Sequence, residues 1–385
     1  MGSGEQRAAR LVDVQSLIDL NEGVGMATVS VRRTYGILIV VAIGAVGVLI
    51  ALAAVGAVRQ SVVLSLNSGV LKPAFLLMLV PFAAWSFGLR VMRWHTLART
   101  LVPGLSLKVS GYTQIVGFAF SATPGRIAEL YKLKLLERST NVPMAQSLPA
   151  ALVERLTDLA AFGLLVVIGG FGVMAASPLR WPGIGGETAT RWIVILLGLV
   201  VVALSYGAAR QLGAWDRLGR SAVGAWQRSE GRWSRFLPGT ARLAALVSQV
   251  RTGGTKVTNP YTLSLALAFV VIGRLGDGVV LWQIAHAVGY PVPFSLALLM
   301  IGSAGFVGGI TLSPGGLGAA EATLVGLIAA HGAPLGAALV TAFGARAMIF
   351  WLWVLVGLIV FAISHSKYLV GGTGLRARRG ALAKD

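Results

Sequence analysis

A chain of 385 residues that is 56% hydrophobic and only 12% charged is too apolar for a soluble domain, where roughly a quarter of residues carry charge. Its 33 Lys and Arg against 14 Asp and Glu, a net +19, lie between apolar runs rather than in one patch, which points to the anionic face of a membrane and away from nucleic acid. With no cysteine, disulfides, thiolate metal sites and thiol catalysis are excluded.

Residues 1–34 are polar, mixed in charge and end on Arg32 and Arg33, which reads as a cytoplasmic N-terminal segment. Tyr35–Val58 is then apolar and uncharged for 24 residues. Paired arginines before an apolar run also open a twin-arginine export signal, but the apolar core of a signal is only about 7–15 residues. The length suits an uncleaved first span, for which about 20 residues are needed. Further full spans are predicted at about 73–92, 146–175, 191–209, 260–289 and 335–364. The expected fold is an all-α integral membrane protein with about six full transmembrane helices.

Between these spans lie two stretches, about 105–137 and 294–333, that break at a Ser/Thr-Pro-Gly turn. The first runs through Pro124, Gly125 and Arg126 to Glu129, the second through Pro314, Gly315, Gly316 and Gly318 to Glu321. Backbone broken inside a bilayer must be covered by protein or line a polar cavity, because lipid cannot satisfy its N–H and C=O groups. Each stretch therefore reads as a broken, re-entrant helical hairpin, or as additional crossings (about eight spans) with the same termini. Arg155 and Arg346 follow the two prolines at 31 and 32 residues. Paired breaks in corresponding halves point to a site between inverted repeats. Free N–H groups and the positive dipole end of a broken helix make a seat for phosphate or carboxylate. Gly308, Gly309, Gly315, Gly316 and Gly318 would allow close approach to the backbone, and Arg126, Arg155 and Arg346 could hold a phosphate bidentately. The alternative use of these glycines is close helix packing.

Orientation follows from the Lys and Arg between spans. Residues 1–34 hold four, 90–143 eight, 210–259 nine and 366–385 five, against two, two and none in 59–72, 176–191 and 290–293. Both termini are expected in the cytoplasm, with the first hairpin entering from that side and the second from outside. In the 210–259 loop, Trp215, Leu218, Ala222, Ala225 and Trp226 fall near helical spacing among Arg217, Arg220 and Arg228. That suits an amphipathic helix on anionic headgroups, or simply a cytoplasmic loop with interfacial Trp. Residues 366–385 form a basic cytoplasmic tail.

Charges inside spans are costly, so each marks a candidate site. Glu154, Arg155 and Asp158 share one span, with Glu154 and Asp158 a turn apart on one face. Arg274 and Asp277 can pair within another span or take part in ion coupling. Glu321 opens the helix after the second break, and Arg346, with no acid within a turn, needs a distant partner. Four acids thus face three arginines, close to the neutrality that buried pairs require. Pro149 suits the first turn of its helix, which leaves open whether Glu154 to Asp158 reach the cavity or stay at its cytoplasmic mouth. His95, His286, His331 and His365 are scattered singly, and no metal, cofactor or catalytic constellation is recognisable.

Taken together, Pro124-Gly125-Arg126 to Glu129, Glu154-Arg155 to Asp158, Pro314-Gly315-Gly316-Leu317-Gly318 to Glu321, and Arg346 resemble the flippase-like family. This is the transmembrane domain of lysylphosphatidylglycerol synthetases, which also stands alone in many bacteria and archaea. The resemblance covers about 35–365 and implies a multi-pass protein of the bacterial cytoplasmic (inner) membrane that moves a polar-headed lipid between leaflets. By residue match, Arg126, Glu129, Glu154, Arg155, Asp158, Pro314, Gly315, Gly316, Gly318, Glu321 and Arg346 would line or shape the central cavity. Ala128 stands where the family often has Gly, and Tyr131 where Arg is common, which loosens inference about the head group. Only 20 residues follow the last span, so the soluble aminoacyl-transfer domain and lysyl transfer are not expected.

The expected function is translocation of an anionic or polar-headed phospholipid or glycolipid, not enzymatic turnover. No Walker-type loop is present, so movement would be downhill or ion-coupled, with Asp277 and Glu321 as proton carriers. The alternatives are an accessory membrane subunit of a cell-envelope lipid or polysaccharide synthesis system and a membrane-embedded lipid-modifying enzyme. Expected partners are membrane lipids, with anionic headgroups at the basic loops, and a cell-envelope synthesis enzyme.

Overall fold

An uninterrupted apolar run in a bilayer can satisfy its own backbone only as a helix, and five runs of the computed structural model do so at membrane-crossing length. The structure describes residue 63 and residues 72–123, 127–176, 192–209, 211, 253–254, 256–311 and 313–364. The expected span at 35–58, both terminal segments, Pro124 to Arg126 and the Trp- and Arg-rich part of the 210–259 loop lie outside the described residues. All described residues belong to one unit, Gly56–Asp385.

In chain order, α1 (Pro73–Arg99) precedes a short pair, α2 (Leu107–Ala119) and α3 (Ile127–Thr140), and then α4 (Met144–Ala176) and α5 (Trp192–Ala209). The second half has α6 (Pro260–Ala287) and another short pair, α7 (Phe294–Ile310) and α8 (Ala319–Ala330), joined through a 3-10 turn at Pro314–Gly316. Last comes α9 (Leu335–Arg346), which continues through a π-helical turn at Ala347–Trp351 as far as Ser364. No strand occurs among the described residues, so the all-α membrane fold expected from sequence is the one that forms.

Local signals account for several helix starts. Pro73 and Pro260 sit in first turns, where a missing N–H costs nothing. Asn259 caps α6 by accepting from the Tyr261 N–H at 3.0 Å, and Ser106 caps α2 by accepting from the Val109 N–H at 3.3 Å. Two boundaries differ from expectation. α1 runs past residue 92 to Arg99 and so takes Arg93 into the helix. Pro149 lies inside α4, which begins at Met144, so Glu154 falls about three turns in rather than near the start.

Both broken stretches fold back on themselves. Their arms have 13, 14, 17 and 12 residues, each under the roughly 20 that a crossing takes. A Cβ on Gly117 would lie 2.8 Å from Lys132 Cβ, and one on Gly308 would lie 3.2 Å from Ala320 Cβ, so each returning arm packs against the entering one.

The two halves are related in packing as well as in order. α1 and α6 run antiparallel, with Gly276 against the Phe82 carbonyl and Gly273 against that of Ser86. α4 and α7 run antiparallel too, with Gly172 against Ser295 at one end and Gly309 against Leu159 at the other. The continuation of α9 lies on α2 in the same sense: Gly357 faces Ile115 and Ala119, and Tyr112 Oη donates to Ser364 Oγ at 3.1 Å. Each half thus sets its last helix on the first hairpin arm of the other, about an approximate two-fold axis between α1 and α6. Antiparallel pairing of equivalent helices is the packing that inverted repeats produce.

Two apolar clusters form the core. One joins the start of α1 to the later parts of α4 and α6 and to α7, α8 and α9. The other joins the end of α1 to α3 and the early parts of α4 and α6. Arg90 and Arg93 of α1, Glu154, Arg155 and Asp158 of α4, and Arg274 and Asp277 of α6 fall between the two clusters.

Candidate functional site: a charged cavity between two folded-back hairpins

Arg93, 2% exposed, is the hub of the charged layer. Its Nη1 donates to Asp158 Oδ1 at 2.8 Å, and its Nη2 to Asp158 Oδ2 and Glu154 Oε1, both at 3.2 Å. Lys132 Nζ donates to Glu154 Oε2 and, at 3.1 Å, to Gln114 Oε1, and it lies 3.7 Å from the centre of the Trp94 ring. Asp277 Oδ2 accepts from both Arg90 Nη2 (2.8 Å) and Arg274 Nη1 (2.9 Å), and Arg274 Nη2 reaches Asp158 Oδ1 at 3.3 Å. Charges this deep lose their water, and only mutual pairing keeps them ionised.

Each half also carries a Glu–Arg clasp in the equivalent place. Arg155 Nε donates to Glu129 Oε1 at 2.5 Å, and Arg346 Nε to Glu321 Oε1 at 2.7 Å. The acid belongs to the first turn after the break and the arginine to the half's last helix. The clasps differ in closure. Arg346 also donates through Nη2 to the Gly315 carbonyl at 2.7 Å, and its side chain is 14% exposed against 42% for Arg155.

The hairpins and the long helices enclose a cavity of about 220 Å³. Arg90, Arg155, Arg274, Arg346, Glu129 and Asp158 form its charged wall. Three guanidinium groups lie over phenylalanine rings that also line it: Arg90 at 5.8 Å from Phe118, Arg274 at 4.6 Å from Phe162 and Arg346 at 4.4 Å from Phe350. The π-helical turn after Arg346 carries Phe350 against the second break, a local widening of the kind that recurs at functional sites. Gly315 has φ +60°, and a Cβ there would lie 2.4 Å from the Phe350 ring, so backbone and neighbour both demand glycine.

Of the residues expected at the site, Glu129, Arg155, Asp158, Gly315, Gly316 and Arg346 line the cavity, and Arg274 joins them. Glu154, Asp277 and Glu321 are buried behind the wall, each paired with a base. Pro314 and Gly318 shape the second break without lining the cavity, and Arg126 lies outside the described residues. Of Glu154 to Asp158, Arg155 and Asp158 reach the cavity while Glu154 lies buried behind it, all of them deeper in α4 than a first turn at Pro149 implied.

Two expectations are corrected. Arg90, Arg93 and Lys132, counted as loop cations in 90–143, are buried partners of acids, which leaves five of those eight for orientation. Among the described residues, the inventory of four acids against three arginines becomes five acids (Glu129, Glu154, Asp158, Asp277, Glu321) against six bases. The sequence held a signal for the missed bases: Trp94, Leu97 and Ala98 extend the apolar pattern beyond Arg93, and Lys132 sits one turn after Glu129. The second correction concerns the anion seat. Three of the N–H groups after Pro314 are engaged: Gly316 N–H donates to the Ser313 carbonyl (3.0 Å), Leu317 N–H to that of Pro314 (3.0 Å) and Gly318 N–H to Glu321 Oε2 (2.8 Å). An anion in the cavity meets guanidinium groups rather than these three amides.

A bundle of apolar helices around two folded-back hairpins, with a charged cavity where they meet, defines a multi-pass membrane protein with a polar site between repeats. The chain belongs to the lysylphosphatidylglycerol synthase TM region family, whose model matches residues 35–357. That family makes it a membrane protein related to lipid synthesis or translocation. A comparison with curated proteins finds no match to the chain.

Proposed function

We propose that the protein is a lipid translocase of the bacterial cytoplasmic membrane, with both termini in the cytoplasm, moving an anionic or polar-headed phospholipid or glycolipid between leaflets without altering it. One observation carries this: three arginines lie over phenylalanine rings in the wall of a cavity between two hairpins whose arms are each shorter than a full crossing. Such a wall can hold a charged head while the acyl chains remain in lipid. Movement is downhill or ion-coupled. Asp277 is the better carrier of a coupling proton, because protonating it would loosen Arg90 and Arg274 together. The cytoplasmic placement of the termini rests on the loop cations that remain after the buried ones are set aside.

Purified protein in liposomes should accelerate leaflet exchange of tail-labelled phospholipid, and the recovered lipid should be unchanged in mass. Arg346→Ala should lower the rate by about tenfold or more, as expected for losing a charge-assisted contact. Equal rates for the two proteins would remove Arg346 from the site, and no exchange by the wild type would remove the translocase.

A further inference from the structure

We propose that the cavity selects a head group of net negative charge, a phosphate with no ammonium to balance it, over zwitterionic and cationic head groups. That a lipid head enters rests on the translocase proposed above; its sign rests on the wall. Among the described residues four arginines and two acids line the cavity, and the charged layer holds six bases against five acids. A net positive charge in a low-dielectric interior is unfavourable until an anion joins it.

An ammonium group would need carboxylate oxygens or open aromatic faces, and in this wall most of them already hold a guanidinium group. Asp158 Oδ1 accepts from Arg93 and Arg274, and its Oδ2 from Arg93 and Arg155. Glu129 accepts from Arg155 through Oε1. The rings of Phe118, Phe162 and Phe350, the natural seats for a cation, each carry a guanidinium group. The arginines, by contrast, keep donors in reserve. Arg155 commits Nε and Nη1 to acids while 42% of its side chain stays exposed. Arg90 is 8% exposed and lines the cavity, and its buried Nε has no partner among the described residues. Planar forks converging on one space fit the oxygens of a phosphodiester, which a compact ammonium cannot exploit.

The test uses the full chain in proteoliposomes. Leaflet exchange is followed for tail-labelled phosphatidylglycerol (anionic), phosphatidylethanolamine (zwitterionic) and aminoacylated phosphatidylglycerol (cationic), and thermal unfolding is measured with each lipid. Phosphatidylglycerol should exchange about tenfold faster than either of the others, a preference worth one charge contact. It should also raise the unfolding temperature most. Arg155→Gln should narrow the ratio several-fold and Glu129→Gln should widen it; because either variant could misfold, each is read independently. Equal exchange of all three lipids would leave the translocase standing and overturn the selection. Selective stabilisation by phosphatidylglycerol, abolished in Arg155→Gln but without exchange of any lipid, would do the opposite. Inorganic phosphate at constant ionic strength should not displace the labelled lipid, and displacement would overturn the lipid as the source of the phosphate.

Discussion

Arg346 has every nearby force acting on it at once: the Glu321 carboxylate, the Gly315 carbonyl and the face of Phe350. Removing the acid leaves a buried guanidinium without its counter-charge, which typically costs about 3–5 kcal/mol. Glu321→Gln should therefore lower the thermal unfolding temperature sharply in detergent. In Glu321→Gln combined with Arg346→Met the loss should be less than the sum of the two singles, because the second change removes the stranded charge; simple additivity would mean the clasp does not exist. Gly315→Ala acts by another route. It places a side chain at φ +60° and within 2.4 Å of Phe350, so about 1–3 kcal/mol of strain is expected. A thermal shift as small as that of an exposed-site control such as Gly326→Ala, where a Cβ would meet nothing within 4 Å, would contradict it.

The two hairpins are built alike but fastened differently. α3 is held by Lys132, which ties it to Glu154 on α4, Gln114 on α2 and the Trp94 ring on α1. α8 has no such lysine; Ala320, Leu324 and Ile328 dock it in the larger apolar cluster, and Glu321 clasps it to α9. Lys132→Met should thus raise amide hydrogen exchange in α3 by about tenfold or more while α8 stays protected, since local stability follows local contacts. Equal loosening of both would show that the hairpins open as one unit. The clasp on the second hairpin is also the more buried of the two, so exchange in α3 is expected to exceed that in α8 even in the wild type.

At the scale of the molecule, the antiparallel pairing of α1 with α6 and of α4 with α7 implies that the hairpins enter from opposite faces of the membrane. The chain has no cysteine, so a single introduced thiol reports its own position without background. Ser139, near the end of α3, and His331, just after α8, are both exposed. In Ser139→Cys and His331→Cys, a membrane-impermeant thiol reagent should label the first only in inside-out vesicles and the second only in intact cells. Labelling of both from one face would overturn the inverted arrangement.

Much of this was legible in the chain. Apolar runs of bilayer length have one backbone solution, so the helices could be placed closely, and paired Pro-Gly turns marked the breaks because proline and glycine act through local geometry alone. Arg155, Asp158 and Arg346 stood out because charge in an apolar run is conspicuous, and Glu129 because it follows a Pro-Gly break. Tertiary structure decided what a one-dimensional pattern cannot carry. Arg90 and Arg93 look like the basic edge of a loop until α6 and α4 bring Asp277 and Asp158 against them from 187 and 65 residues away. The Gly318 amide at the second break looks available until Glu321 turns back to accept from it. Burial and partner choice depend on which helices meet, and that is fixed only when the two halves pack across each other.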